Sequence, residues 1–239
     1  MTTKGETSDH GNWTILMSVN NGYFDFFQNW MHFYKKLDLK RSLRVIAEDD
    51  EVFLKLQQLN TSSFFNVERS WRNPPRSVVV YGSKGFSELA SGRPSYILKY
   101  LQKGENLLYA DADSVWLRDP FPFFTGDFDM WMQVDKTPSN MCTGLIAVKS
   151  NNKTMQLMKT WETSLQKHLE IDQTAFNKIY KTSTVHLKQL DTKRFPSGQL
   201  YFERFNKSLQ EEVVIVHNNF IIGHEPKLKR FVKHKLWFT

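Results

Sequence analysis

Cysteine is almost missing from this chain. Cys142 is the single one among 239 residues, so neither an internal disulfide nor a cysteine-built zinc centre can form. A lone thiol says nothing about redox compartment. Long apolar runs are missing too: no stretch of 18 or more apolar residues occurs, so no segment reads as a membrane span. The start, Met1 to Gly11, is polar and lacks the apolar centre of a signal peptide. A complete chain of this kind is expected in the cytosol; otherwise an anchor and stem precede it. No Pro/Gly/Ser linker, repeat or low-complexity tract is present. Acidic residues are the minority, 25 Asp and Glu against 32 Lys and Arg, a net charge of +7. A basic surface suits nucleic acid, acidic glycans or anionic lipid. Here the basic residues are scattered except from Lys227 to Lys235, and no DNA- or RNA-binding motif accompanies them, so nucleic acid is not an expected partner.

What the chain does have is apolar and aromatic mass. Hydrophobic residues make up 40% and aromatics 14%, with 19 Phe and 7 Trp, enough for a real core and too much for a disordered chain. The length fits one α/β domain or two small ones. A polar tail over residues 1–12 followed by a single domain over 13–239 is the simplest division. Four Asn-x-Ser/Thr sequons begin at Asn12, Asn60, Asn152 and Asn206. About two would arise by chance, so they lean only slightly toward a lumenal protein.

The hydrophobic pattern alternates between strands and helices. Trp13 to Val19 reads as a buried strand ending in the turn Asn20-Asn21-Gly22. Phe27, Trp30, Met31, Tyr34 and Leu37 mark a helix face within Tyr23 to Leu37. Arg44 to Ala47 is expected to be a strand, Asp49 to Leu59 a helix, and Ser77 to Tyr81, with its three valines, a third buried strand. Pro94 suits the first turn of a helix that stops at Gly104, and Asn106 to Ala110 is the next strand. Later strands are expected at Met130 to Val134, Thr143 to Val148 and Val213 to Val216. Later helices are expected at Lys153 to Leu169, Asp172 to Lys181 and Pro226 to Leu236. Such alternation implies a doubly wound, mostly parallel sheet. Ligands of such sheets bind outside the carboxyl ends of the strands. Asn20-Asn21 and Asp111-Ala112-Asp113 both fall there.

Asp111-Ala112-Asp113 is the most informative motif. Carboxylates spaced i, i+2 at a strand end point the same way. Paired hard oxygen ligands suit Mg²⁺ or Mn²⁺, ions often completed by substrate phosphates. An acidic turn after a strand would look the same, so the motif alone leaves both readings open.

Its surroundings are more specific. The run Leu-Tyr-Ala-Asp-Ala-Asp-Ser-Val-Trp-Leu-Arg-Asp-Pro-Phe, residues 108–121, resembles the centre of the nucleotide-diphospho-sugar transferases. These are GT-A-fold glycosyltransferases whose relatives include plant cell-wall xylosyltransferases and arabinosyltransferases. Trp13 to Trp30 resembles the family's opening strand and helix, and Thr143 to Asn151 its central strand. Asp172-Gln173-Thr174-Ala175-Phe176-Asn177 resembles its Asp-Gln motif. His217-Asn218-Asn219, Gly223, Lys227 and Trp237 resemble its C-terminal signature. The matches run in order along most of the chain. One position departs: the family's Asn-Thr-Gly is Cys142-Thr143-Gly144 here, and a thiol lacks the amide's hydrogen bonds toward a donor sugar.

The resemblance implies a single GT-A-type α/β domain with a Rossmann-like, mostly parallel mixed sheet. It implies a metal-dependent transferase that moves a sugar from a nucleotide diphosphate, UDP by preference, to a glycan or glycoprotein acceptor with retention. His217 joins Asp111 and Asp113 as a metal ligand. An imidazole in the set favours Mn²⁺ over Mg²⁺. Lys227 is expected at the diphosphate, and a solvated helix lysine is its other reading. Asn20 and Asn21 are expected at the nucleotide, Arg93 and Lys99 at a phosphate or the donor, with ordinary turn or helix-surface roles open for all four. Thr143, Gly144 and Gly223 complete the donor set, Gly144 by letting backbone approach the sugar. Asp135, Asp172 and Gln173 are the polar groups expected beside the reacting carbon. They act either through a covalent carboxylate adduct or by electrostatic support of same-face attack; the second is preferred because no dedicated nucleophile stands out. Arg118 is expected to pair with Asp119 or cap its turn, and Trp116 and Trp131 to be core residues, not sugar platforms. The likeness and the sequons together suggest the Golgi lumen.

Two other readings stay in view. A haloacid-dehalogenase-type phosphatase also opens on strand-Asp-x-Asp, but needs a later acidic pair; the only Asp-Asp here, Asp49-Asp50, lies upstream. A catalytically weak sugar- or nucleotide-binding homologue is the other, with the Cys142 departure in its favour.

Overall fold

A computed structural model describes residues 13–72, 77–168 and 170–238. The expected tail, residues 1–12, and with it the Asn12 sequon, lies outside the described residues.

One seven-stranded sheet organises the chain. Its strands are β1 (Trp13–Val19), β2 (Ser42–Ala47), β3 (Asn66–Arg69), β4 (Asn106–Ala110), β6 (Met130–Val134), β7 (Met141–Val148) and β8 (Leu187–Gln189), in the order β3-β2-β1-β4-β7-β6-β8. Only β7 runs against the rest. A separate two-stranded sheet joins β5 (Ser114–Trp116) to β9 (Ile215–His217), antiparallel, with Ser114 opposite His217.

Helices cover both faces, which is why the central strands are near-continuous apolar runs. On β1, Ile15, Met17 and Val19 enter one core with Phe26, Phe27 and Trp30 of α1 (Phe24–Lys36). Leu16 enters the other core, with Tyr96, Ile97 and Tyr100 of α4 (Arg93–Leu101) and Met158 and Trp161 of α5 (Asn152–Lys167). The same alternation splits Leu108 and Ala110 from Leu107 and Tyr109 on β4. Trp116 and Trp131 are fully buried core residues, as expected. Local signals set the boundaries: Asp49 caps α2 (Asp50–Leu59), and Asn151 and Thr154 form a capping box for α5.

One expected element is absent. Residues 77–81 are not a strand. Val79 is buried, but Val78, Val80 and Tyr81 are exposed, and the segment lies across the end of β1, where Asn20 donates to the Ser77 carbonyl at 2.9 Å. The third strand is instead Asn66–Arg69, an edge strand of polar sequence paired only to β2. Three valines mark an apolar segment, but not a partner to pair with. The short strands β5 and β8 carried too few residues for a periodic signal.

The topology gathers polar groups at one edge. β1, β4 and β6 end there and β7 begins there, so Asn20, Asp111, Asp135 and Thr143 converge. The β6–β7 register slips between Met132 and Gln133, where the partner jumps from Ile146 to Cys142. Such irregularities re-aim side chains near active sites, and here the side chain is that of Gln133.

Candidate active site

A cavity of about 680 Å³ opens at this edge. Asp111, Asp113 and His217 line it, and one donor atom from each lies within 4.8 Å of the others. His217 Nε2 is 3.3 Å from Asp113 Oδ1 and 3.8 Å from Asp111 Oδ2. Donor atoms around one divalent ion with bonds near 2.1 Å stand about 3 to 4 Å apart, so the set fits a shared ion.

Gln133 prepares the imidazole for that role. Its amide nitrogen donates to the carbonyls of Pro196 at 2.8 Å and Phe195 at 3.3 Å. The amide oxygen therefore faces His217 Nδ1, 3.0 Å away. An oxygen there requires Nδ1 to carry a proton, which leaves Nε2 and its lone pair toward the carboxylates. This is the outer-shell arrangement that orients ligating histidines.

Gly144 leaves room for two of these side chains. A Cβ built on it would stand 2.4 Å from His217 Cε1 and 2.5 Å from Asp111 Oδ2. The missing side chain is the space the ligands occupy. Gly144 also fixes Asp111 directly, its carbonyl accepting from the Asp111 N–H at 2.9 Å.

Cations surround the acids. Burial opposes charge on Asp113, but Lys227, whose ammonium donates to Asp113 Oδ2, and His217 hold its carboxyl well below the usual range. Burial likewise works against charge on Lys227, and Asp113 more than offsets it. Arg93 is buried and bridges two carboxylates, donating to Asp111 Oδ1 at 2.9 Å and to Asp172 Oδ2. Thr143 Oγ1 donates to the same Asp172 oxygen at 2.9 Å, and Tyr109 Oη donates to Asp111 Oδ1 at 3.1 Å. Asp172, only 2% exposed, is thus held by two donors at the first turn of α6 (Asp172–Ile179). Gln173 accepts from the Thr143 N–H at 3.2 Å. Asp135 lines the cavity nearby, and burial raises its carboxyl despite hydrogen bonds from Lys136 and Gln173.

The C-terminal signature forms the opposite wall. Gly223, at φ +94°, begins α8 (His224–Lys233), which carries Lys227 inward. Asn218 donates to the Lys227 carbonyl at 3.0 Å, and Arg230 bonds Asn218 and Asn219. His224 Nε2 pairs with Asp25 of α1 at 2.8 Å. Cys142 is buried beside His217, its sulfur 3.5 Å from Nδ1.

Two expected residues stand elsewhere. Lys99 pairs with Glu68 and lies over the Trp71 ring, outside the cavity lining. Asn21 is bound to Asp49, through its N–H at 2.7 Å, and to Lys55 at 2.6 Å. Arg118 donates to the Val213 carbonyl at 2.6 Å instead of pairing with Asp119. Behind Asn20, Glu48 is buried with Tyr96 donating to it at 2.7 Å. Burial pushes its carboxyl up to about 7, against hydrogen bonds from Tyr96, Ser70 and Ser18. Gln133 and Tyr109 escaped the sequence reading. Gln133 carried a signal all the same, as the one polar residue in Met-Trp-Met-Gln-Val, since a buried amide needs partners.

Two carboxylates and an imidazole that could hold a divalent ion stand beside the buried Arg93 and the partly buried Lys227 at one sheet edge. The fold agrees with sugar transferases: a solved structure of an active-site mutant of LgtC superposes with a TM-score of 0.61 over 95% of this chain and 96% of that one, at 11% identity, and the domain has the GT-A fold. The sequence profile of the nucleotide-diphospho-sugar transferase family matches residues 39–231, and the chain belongs to that family. UDP-D-xylose:L-fucose alpha-1,3-D-xylosyltransferase 3 of Arabidopsis thaliana is 32% identical over 94% of this chain and 66% of its own length. UDP-galactose:fucoside alpha-3-galactosyltransferase of Dictyostelium discoideum is 26% identical over 94% of this chain and 43% of its own. The chain thus spans roughly two thirds of the first relative and less than half of the second. No described helix is long and apolar enough to cross a membrane.

Proposed function

We propose that this protein transfers a sugar from a UDP-sugar to a fucose-bearing glycan, with retention and with Mn²⁺ at Asp111, Asp113 and His217. The convergence of those three ligands with Lys227 in one cavity carries the reading. Mn²⁺ is favoured over Mg²⁺ because one ligand is an imidazole. When bound, the ion supplies positive charge to the diphosphate. Fucose is favoured because the two relatives named above differ in donor, xylose against galactose, yet share a fucose acceptor. The Golgi lumen is the proposed location, in keeping with the family resemblance and the sequons.

Each residue has a role that follows from its place. Asn20, at the end of β1, meets the nucleotide. Lys227 faces the diphosphate, where its charge counts most as the leaving group gains negative charge. Arg93 holds both Asp111 and Asp172 in position. Thr143 and the backbone at Gly144 and Gly223 border the donor. Gln173 and Asp135 support the positive charge that develops on the anomeric carbon. Arg93 and Thr143 fix the Asp172 carboxylate through its Oδ2, and turning it onto that carbon would disturb that arrangement. This supports attack by the acceptor from the face that UDP leaves, with the departing phosphate oxygen taking the acceptor's proton. Asp172 is then a positioning residue. Lys99 and Asn21 have no direct part.

The test is release of UDP from UDP-xylose, UDP-galactose and UDP-arabinofuranose, with methyl α-L-fucoside as acceptor and with or without Mn²⁺. Turnover of one donor that stops in EDTA is expected. A protein that binds UDP and Mn²⁺ normally but turns over none of the donors would favour the weak-homologue reading instead.

A further inference from the structure

The cavity has a second, chemically different end. Its lining includes an apolar lip of Val79, Tyr81 and Phe86 and another of Phe220 and Ile222. Several of these are exposed: Tyr81 by 49%, Phe220 by 39% and Ile222 by 58%. Val78 and Val80 extend the first lip. Contiguous exposed apolar surface at the rim of a site marks a binding surface.

The first lip is preformed. Asn20 holds the Ser77 carbonyl, and Gly22 packs so closely that a Cβ there would stand 2.4 Å from the Val78 nitrogen. The Ser83 hydroxyl caps α3 (Lys84–Ala90) by accepting from the Phe86 N–H at 3.2 Å. The Tyr81 and Phe86 rings then pack with centroids 4.9 Å apart. Burial raises the Tyr81 hydroxyl, with Asp135 and Cys142 adding to the effect. The hydroxyl end of Tyr81 is therefore within electrostatic reach of Asp135, while half the side chain stays open to solvent. Tyr81 spans from the reacting region to the apolar rim.

We propose that Tyr81 and Phe86, with Ile222 in the same cavity lining, form the acceptor platform and select a 6-deoxyhexoside by its methyl group and apolar ring face. C–H bonds on a sugar face pack on aromatic rings without desolvating a hydroxyl. A 6-deoxyhexose extends that face by a methyl where the parent hexose carries a hydroxymethyl group. Burying that extra hydroxyl without a partner is unfavourable. Apolar pockets reject an added hydroxyl by up to about 10²-fold. The assignment rests on the transferase reading above and adds to it the residues that read the acceptor.

The experiment uses methyl α-L-fucoside and methyl α-L-galactoside, which differ only in the 6-hydroxyl, with the full chain, UDP and Mg²⁺. Saturation-transfer NMR is expected to place the strongest protein contact on the fucoside 6-methyl protons. The Tyr81→Ala/Phe86→Ala double variant should weaken that signal at least fivefold. Its affinity for UDP with Mg²⁺, read by calorimetry, should stay within twofold of wild type. In turnover, wild type should prefer the fucoside by about 10- to 100-fold in kcat/KM, and the variant should approach parity. A methyl signal no stronger than the ring protons, or a preference that survives both substitutions, overturns the platform while leaving the transferase reading intact. If the lips only close over the donor, the variants will lose UDP affinity and keep the acceptor preference, which also overturns it. Wild-type protein that binds no UDP with Mg²⁺ or Mn²⁺ overturns both readings.

Discussion

Gly144→Ala adds one methyl group, and its consequence can be worked out from the structure. The new Cβ would lie 2.4 Å from His217 Cε1 and 2.5 Å from Asp111 Oδ2, where ordinary contacts begin near 3.4 Å. Something must move by close to 1 Å. Neither neighbour is free to yield. His217 is braced by Gln133 at 3.0 Å, and Asp111 by Arg93 at 2.9 Å and Tyr109 at 3.1 Å. Overpacking of this kind costs about 1–3 kcal/mol of stability, which a domain this size survives. The site suffers more, because disturbing even the outer-shell partners of a metal typically costs 10- to 100-fold in affinity, and here two ligands are displaced. Calorimetric titration of Mn²⁺ in the presence of UDP should show a loss of at least 100-fold. Gly104→Ala is the control: it adds a backbone strain at φ +79° that Gly144→Ala lacks, but its Cβ meets nothing within 4 Å, so it should lower stability by about 1–2 kcal/mol and leave Mn²⁺ affinity unchanged. A folded Gly144→Ala protein with wild-type Mn²⁺ affinity would refute the three-ligand site.

Four further outcomes are expected. Gln133→Leu removes the acceptor that fixes the His217 tautomer and should weaken Mn²⁺ binding about 10- to 100-fold, seen by titration with electron paramagnetic resonance detection of free Mn²⁺. Asp113→Asn should abolish most turnover and, in the same titration, most Mn²⁺ binding; undiminished transfer in excess EDTA would contradict the metal requirement. Lys227→Ala should lower kcat by about 10²-fold or more with a smaller rise in donor KM; a changed KM alone would make it an anchor only. Glu48→Gln tests the buried acid. Its folded pKa of about 7 exceeds the unfolded value of 4.5, so the native state holds the extra proton and the wild type loses stability as pH rises between those values. At roughly 1.4 kcal/mol per unit, urea denaturation should find the variant more stable by up to about 3 kcal/mol at pH 8 and indistinguishable below pH 4.5.

The convergence of Asp111, Asp113 and His217 was legible through the family resemblance, which aligned all three, whereas the Asp-x-Asp spacing alone left an acidic turn open. The parallel sheet was legible because strands buried on both faces must be apolar throughout. What escaped is what depends on pairing partners. Asn66–Arg69 becomes a strand only because β2 offers it an edge, while the apolar Ser77–Tyr81 finds no free edge and folds over the cavity instead. Arg93 was expected at a phosphate, yet it spends its guanidinium on Asp111 and Asp172. Lys99, one helical turn and a half further on, points to the opposite side and serves Glu68. No spacing rule separates those outcomes, because they depend on which carboxylates the finished sheet brings alongside. Gly144 was expected to be small for the sake of a sugar. It is small first for the sake of its neighbours.

The little sheet of β5 and β9 gives the site a history as well as a shape. Asp113 and His217 meet only when the segment near residue 217 returns to pair with Ser114. While the chain is being synthesised, the large sheet can assemble through β7 with its acids already in place but with no third ligand. The transferase centre therefore cannot exist before β9 has emerged. A divalent ion arriving then would bind the closed topology in preference to the open one, and at 100 times its dissociation constant would deepen that preference by about 2.7 kcal/mol. Metal supply and completion of the fold become a single event, because the third ligand arrives only with β9.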